Sequence, residues 1–190
     1  MPTNMFNNKE FILKKTIIAL TLGTLMGVAS AATVSFESDR VKDDKTHAEY
    51  TAKYLRVNGT MEGLDLGVQA RTAVLAKNAG MMNSLELTAG SKVGPVAVFG
   101  GVGFDNGLNG VNPFQYGLVG ASTGMKFGVV NTFAGVKTRV NWDSANPKQT
   151  VMFAGANMPL LKGLALEAGV SKSVQTIKET AWGLGVSAKF

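Results

Sequence analysis

From Ala32 to the C-terminus, apolar side chains recur at every second position, and no stretch of ten or more residues carries a helical stripe. The clearest run sets Leu64, Leu66, Val68, Ala70, Thr72 and Val74 against Asp65, Gly67, Gln69, Arg71 and Ala73. The same alternation sets Leu85, Leu87, Ala89 and Val93 against Glu86, Thr88, Gly90 and Lys92, and Val96, Val98, Val102 and Phe104 against Ala97, Gly101 and Gly103. It returns with Val130, Ala134, Val136 and Val140 opposite Asn131, Gly135, Lys137 and Arg139, and with Leu164, Leu166, Ala168 and Val170 opposite Glu167, Gly169 and Ser171. The last run ends the chain, with Trp182, Leu184, Val186, Ala188 and Phe190 facing one way and Gly183, Gly185, Ser187 and Lys189 the other. A period of two with unlike faces predicts an all-β protein.

The connections alternate in kind. Tight turns rich in Gly or Pro are predicted at Asn58 to Gly63, Gly94-Pro95, Ser122 to Lys126 and Met158 to Gly163. Longer or more polar loops fall at Lys42 to Thr46, Ala76 to Met82, Asp105 to Pro113, Asp143 to Gln149 and Ser173 to Glu179. Four turns and five loops predict ten strands, with eight as the alternative. The first pair, about Thr33 to Arg40 and His47 to Val57, is the least regular, with Tyr50 and Tyr54 as its outward-facing candidates. Asn58-Gly59-Thr60 matches a glycosylation acceptor but reads better as a turn. Met61-Glu62-Gly63-Leu64 beside Leu161-Lys162-Gly163-Leu164 reads as one turn used twice.

Alternation alone fits a sandwich with a wet outer face or a barrel whose polar face lines the interior. Three features favour a membrane barrel: strands of about ten residues, tight turns alternating with longer loops, and an export leader. Ten residues at about 3.3 Å each, tilted near 45°, rise roughly 23 Å, close to the apolar band of about 25 Å in such barrels. Residues 1–31 read as a signal peptide, with Lys9, Lys14 and Lys15 in the charged region, an apolar run from Thr16 to Val28, and Ala29-Ser30-Ala31 as the cleavage site. The apolar run is too short to span a bilayer. The expected mature barrel is therefore residues 32–190, and losing Lys9, Glu10, Lys14 and Lys15 lowers its formal charge from +6 to +4. A balance that ordinary gives no sign of a nucleic-acid partner. With 23 Gly and no Cys in the whole chain, neither a helical bundle nor a disulfide scaffold fits.

The terminus carries the most specific mark. Phe190 closing the alternation Trp182, Leu184, Val186 and Ala188 resembles the C-terminal strand signal of the small bacterial outer-membrane β-barrels. That resemblance covers the whole chain. It implies a closed antiparallel up-and-down transmembrane barrel in a Gram-negative outer membrane, contact with lipid and lipopolysaccharide, and recognition of the last strand by the outer-membrane assembly machinery. It is silent on activity. The class holds the transmembrane domains of outer-membrane proteins A and X, opacity-type adhesins, narrow porins and lipid A-modifying enzymes, and no motif here selects among them.

The expected interior bears most directly on function. Lys53, Arg71, Lys92, Lys137, Arg139 and Lys189 face inward against Glu37, Glu49, Asp65, Glu86 and Glu167. Such near-balance predicts pairing across a narrow lumen, because unpaired buried charge costs several kcal/mol. Inward Gly67, Gly90, Gly101, Gly103, Gly135, Gly169, Gly183 and Gly185 remove side-chain volume and predict a thin wet passage. Narrow porin-like transport of small solutes or ions is the first function these features suggest. A structural or surface-interaction, adhesin-like barrel without transport is the second, and a lipid-modifying enzyme a distant third. His47, the sole histidine, is a candidate catalytic group only in that third case, beside Asp43, Asp44 and Ser38; the chain is otherwise expected not to be an enzyme. Neither a cofactor nor a transition-metal site is expected with one His and no Cys. Loop carboxylates Asp43, Asp44, Asp105 and Asp143 are candidates for touching divalent cations that bridge lipopolysaccharide.

Overall fold

The computed structural model describes residues 31–75, 80–107, 110, 113–142, 148–175 and 178–190. The expected leader therefore lies outside the described residues except for Ala31, as do Asp143 and parts of four of the predicted loops. Ten strands account for the regular structure: β1 (Ala31–Asp43), β2 (Glu49–Met61), β3 (Leu64–Leu75), β4 (Met81–Val93), β5 (Val96–Asp105), β6 (Phe114–Phe127), β7 (Val130–Asn141), β8 (Gln149–Leu161), β9 (Leu164–Ser173) and β10 (Glu179–Lys189). Each pairs antiparallel with its sequence neighbours, and β1 pairs with β10, so the sheet closes into an up-and-down barrel with no free edge. Closure continues past the last strand, where the Phe190 amide donates to the Ala32 carbonyl at 2.9 Å.

The alternation predicts the faces well wherever it is regular. Residues opposite each other in an antiparallel ladder share a face, so the register carries one assignment around the barrel. Outward stand Leu64, Leu66, Val98, Val102, Val136, Val140, Val170, Trp182, Leu184 and Val186, an apolar belt in contact with whatever surrounds the barrel. Inward stand the polar positions named for β3, β4, β5, β7, β9 and β10.

Two expectations about turns are corrected. Ser122 to Lys126 is the final third of β6, and the turn falls at Gly128-Val129, where Gly128 takes φ 60°. Asn58-Gly59 lies inside β2, and the turn after it is Glu62-Gly63, with both residues at positive φ (52° and 83°). That is the left-handed pair a two-residue hairpin needs to match the strand twist. The second copy of the motif also turns at its Gly, Gly163 at φ 80°, but Pro159 interrupts the ladder before it and the register shifts between Pro159 and Leu161.

The least regular pair is also where the expected facing is wrong. Tyr50 and Tyr54 point into the lumen, while Glu49 and Lys53, expected inward, face outward. Tyr54 is opposite both Glu37 and Arg71, and Lys53 opposite Ser38 and Thr72. The physical reason lies in the tyrosine itself: its ring packs on other side chains while its hydroxyl needs a polar partner. A charged lumen supplies both.

Candidate functional site: the barrel lumen

Lumen side chains divide by height. Toward the long loops lie most of the paired charges, beside a small apolar cluster of Val41, Ala52, Ala73 and Ala181; toward the tight turns lie glycines, small polar residues and a few aromatic rings, with Asp65, Lys92, Lys126, Glu167 and Lys189 spaced among them.

Glu86, with only 4% of its side chain exposed, is the hub of the charged half. It accepts from Lys137 Nζ at 2.8 Å, Arg139 Nε at 2.8 Å, Tyr116 Oη at 3.0 Å and Gln69 Nε2 at 3.3 Å, and Arg139 Nη2 reaches it as well. Glu86 is on β4 and its cations are on β7, so the pairing skips two strands. Glycine at 103 lets Tyr116 join them. Glu86, Gly103 and Tyr116 stand in one register row, and a Cβ at position 103 would run into the Tyr116 ring, which leans across β5 to reach Glu86.

The bonds continue on both sides. Arg139 Nη1 donates to Gln149 Oε1 at 2.8 Å, and Gln149 Nε2 to Ser173 Oγ at 3.3 Å. In the other direction Gln69 Oε1 accepts from Arg56 Nε at 2.8 Å, and Arg56 pairs with Glu37. Side chains from β1, β2, β3, β4, β7, β8 and β9 thus form one chain of hydrogen bonds, with Tyr116 of β6 joined at Glu86. A second knot sits nearer the long loops, where Tyr50 Oη donates to Glu179 Oε1 at 2.8 Å and accepts from Arg71 Nη2 at 3.1 Å. Arg56 also stacks over the Tyr54 ring, 4.8 Å from its centroid. The bonds follow the wall more than they cross it, and a cavity of about 1170 Å³ remains inside, lined by Glu37, Tyr54, Arg56, Arg71, Glu86 and Arg139 among others.

In the other half, the glycines do not simply leave space. Rings lie over three of them from the neighbouring strand: Phe99 over Gly120, Phe153 over Gly135 and Phe133 over Gly155, each a directly opposed pair. Elsewhere Asp39 and Glu37 fill the hollow at Gly183, and Thr88 that at Gly67. Inward glycine is therefore partly a socket for a neighbour's side chain, a correction to reading it as free volume. Even so, a second cavity of about 400 Å³ opens at this end, bordered by Thr33, Thr60, Asp65 and Lys189, and it shares Asn58, Gly67, Thr88 and Phe99 with the first.

Of the charges expected to line the lumen, Arg71, Glu86, Lys137, Arg139 and Glu167 border the large cavity and Asp65 the small one. Lys92 is on the inward face at the tight-turn mouth, opposite Ala97, and Lys53 is outside. Sequence reasoning missed Asp39, Arg56, Asp105 and Glu179, all inward, together with the aromatic lining. A signal for two of them was present: Ser35, Glu37 and Asp39 alternate with Val34, Phe36 and Ser38, which sets the facing of β1 and, through its ladder, of Arg56. Asp105, expected as a loop carboxylate, ends β5 inside the lumen and accepts from the Gly107 amide at 2.8 Å. Asp43 caps the first loop by accepting from the Lys45 and Thr46 amides at 2.8 and 2.7 Å, and Asp44 accepts from Thr180 Oγ1 at 3.1 Å. His47 is exposed in that loop at φ 58°, away from the lumen. No group of three or more His, Cys, Asp or Glu able to hold a metal occurs among the described residues.

No protein-family model and no curated protein matches the chain. Solved structures do. The translocator domain of the autotransporter NalP from Neisseria meningitidis aligns over 96% of this chain and 98% of its own, with 12% identity and a TM-score of 0.53. The β domain of the Bordetella autotransporter BrkA aligns over 83% of this chain and 98% of its own (14% identity, TM-score 0.49), and the KdgM porin over 83% and 99% (11% identity, TM-score 0.45). At this identity the likeness to the NalP domain is one of fold, a closed β-barrel of the outer-membrane type.

Proposed function

We propose that the chain is an exported outer-membrane β-barrel whose lumen is a narrow, water-filled passage for small solutes or ions. The observation that carries the reading is the cavity of about 1170 Å³, bounded by a hydrogen-bonded belt that runs along the wall and leaves its interior open. The lining mixes apolar side chains with Glu37, Arg56, Arg71, Glu86 and Arg139, and these charged groups give water entering the space its hydrogen-bond partners. The apolar outer belt supports a membrane setting, since a soluble barrel would present that face to water. Location follows the same reading, with removal of residues 1–31 and delivery of the last strand to the assembly machinery. The outward residues of that strand, Trp182, Leu184, Val186 and Phe190, form a continuous exposed apolar stripe on the outer wall, Phe190 at 76%. No enzymatic step enters this reading.

Single-channel recording of the purified barrel in planar bilayers tests it. Discrete conductance steps that grow with salt concentration are expected. A folded, inserted barrel that never conducts would overturn the transport reading and leave the adhesin-like or structural alternative in its place.

A further inference from the structure

Charge on the outer wall is confined to one sector. Among the described residues, the outward strand positions of β3 to β8 and of β10 carry no Asp, Glu, Lys or Arg. Five charged residues do face outward: Arg40 and Lys42 on β1, Glu49 and Lys53 on β2, and Lys172 on β9. These strands are contiguous through β10, and all five residues lie toward the long-loop end. Thr180 stands beside both Lys42 and Lys172, and Lys42 beside Glu49, so most of the cluster is a single row with Arg40 and Lys53 beneath it.

Four of the five are cations. Arg40 Nε donates to Glu49 at 2.9 Å, and Lys172 approaches Asp44 at 3.9 Å. Lys42 and Lys53 have no protein partner among the described residues. Lys53 is four residues inside β2, roughly 9 Å below the strand end at about 3.3 Å per residue and 45° tilt. At comparable depth β5 presents Val102, and β7 presents Thr138 and Val136. An unpaired cation facing hydrocarbon is costly, and the cost vanishes only where polar headgroups reach it.

We propose that this sector of β9, β10, β1 and β2 docks the phosphate groups of an anionic lipid headgroup in the leaflet on the long-loop side. Lys42 and Lys53 supply point charges, and Arg40, whose Nε and Nη2 both bond Glu49, adds its remaining Nη1. The occupant is a lipid and not a soluble anion because the cations border exposed Trp182, Leu184 and Phe36, an apolar surface on which the acyl chains of the same molecule can lie. The inference rests on the outer-membrane reading and is independent of whether the lumen conducts.

The test uses the full barrel, purified in detergent and inserted into phosphatidylcholine vesicles, with diphosphoryl lipid A as probe. Native mass spectrometry reads lipid adducts, and the urea midpoint in vesicles reads stabilisation. Diphosphoryl lipid A should bind about tenfold more tightly than the same lipid stripped of phosphate. The Lys42→Gln/Lys53→Gln double variant should abolish that preference, while Lys126→Gln at the tight-turn end should keep it. Lys53→Ser, changed alone, covers the case in which the double variant fails to fold. Equal binding of both lipids, or an undiminished preference in the variants, would overturn the proposal. Displacement by millimolar inorganic phosphate would overturn it in favour of a soluble anion, and a dimer that shields the sector in favour of a second copy. Failure to insert into vesicles at all would instead sink the outer-membrane reading itself.

Discussion

The two halves of the lumen are walled by the same ten strands, yet they solve the problem of an enclosed interior in different ways. Toward the long loops the lining carries the paired charges, and Glu86 holds two cations from one strand, β7, three places away. Toward the tight turns the lining is mostly glycine and hydroxyl, with Phe99, Phe133 and Phe153 laid into opposed glycines. The first half is held by directional bonds that fail if one partner goes. The second is held more by shape, with short local bonds such as Thr60 to Asp65 at 2.8 Å in place of a shared hub. In the first half charges are held in mutual bonds, whereas in the second Asp65, Lys92 and Lys189 stand near the mouth, where passing ions would meet them.

The largest expected effect is at the hub. Glu86→Ala leaves Lys137 and Arg139 without their counter-charge in a confined site and should destabilise the barrel by about 3–5 kcal/mol, read from urea unfolding in vesicles. A loss below about 1 kcal/mol, the scale of a solvated pair, would mean that water reaches Glu86 freely and that its bonds do not hold this half together.

The tight-turn half can be probed from outside and inside. Val98 faces outward on the same strand that places Phe99 in the lumen. Val98→Arg should cost about 2–4 kcal/mol if that face meets hydrocarbon. Refolding yield and unfolding midpoint in vesicles check it, and a cost near zero would remove the membrane from that face.

A smaller effect belongs to the sockets. A Cβ at Gly155 would meet the Phe133 ring and stand 2.7 Å from the Ala168 carbonyl, so Gly155→Ala should cost about 1–3 kcal/mol as overpacking. If shape is what holds this half, part of that cost should be recovered when Phe133→Ala is added, as a double-mutant cycle would report. Strict additivity would show that the ring and the glycine are unrelated.

The smallest change in stability should give the clearest change in transport. Ser122 lines the cavity in the tight-turn half. Ser122→Lys should move stability by less than about 1 kcal/mol, since water receives the charge, while reversal potentials in a salt gradient shift toward anions. An unchanged reversal potential would place the passage elsewhere or deny it.

Much of this was readable from residue order. An alternating face is a local property, set by the two-residue period of an extended chain, and it survives any choice of neighbour. Leu64 to Val74 and Trp182 to Phe190 therefore reveal their facing, and Gly63, Gly94 and Gly163 mark the reversals between strands. Where local signals compete, the pattern misleads: Ser122 to Lys126 resembles a turn but continues a strand, because the ladder to Asn131, Thr132, Phe133 and Ala134 satisfies its backbone. Tyr50 and Tyr54 resemble lipid-facing aromatics, and the lumen claims them because Glu179 and Arg71 are there to meet the hydroxyl of Tyr50.

By itself, the amino-acid sequence determined that the chain forms a barrel of about ten two-faced strands with its charge turned mostly to one side. Tertiary structure alone decided which charges meet. Glu86 and Lys137 are 51 residues apart, and nothing near either one specifies the other. Their contact depends on closure, which curves β4 and β7 toward each other, while Gly103 between them makes room for the Tyr116 ring that joins the same carboxylate. A periodic pattern constrains each residue against its neighbours, whereas a bond between strands three places apart constrains positions that only the curved, closed wall brings within 3 Å.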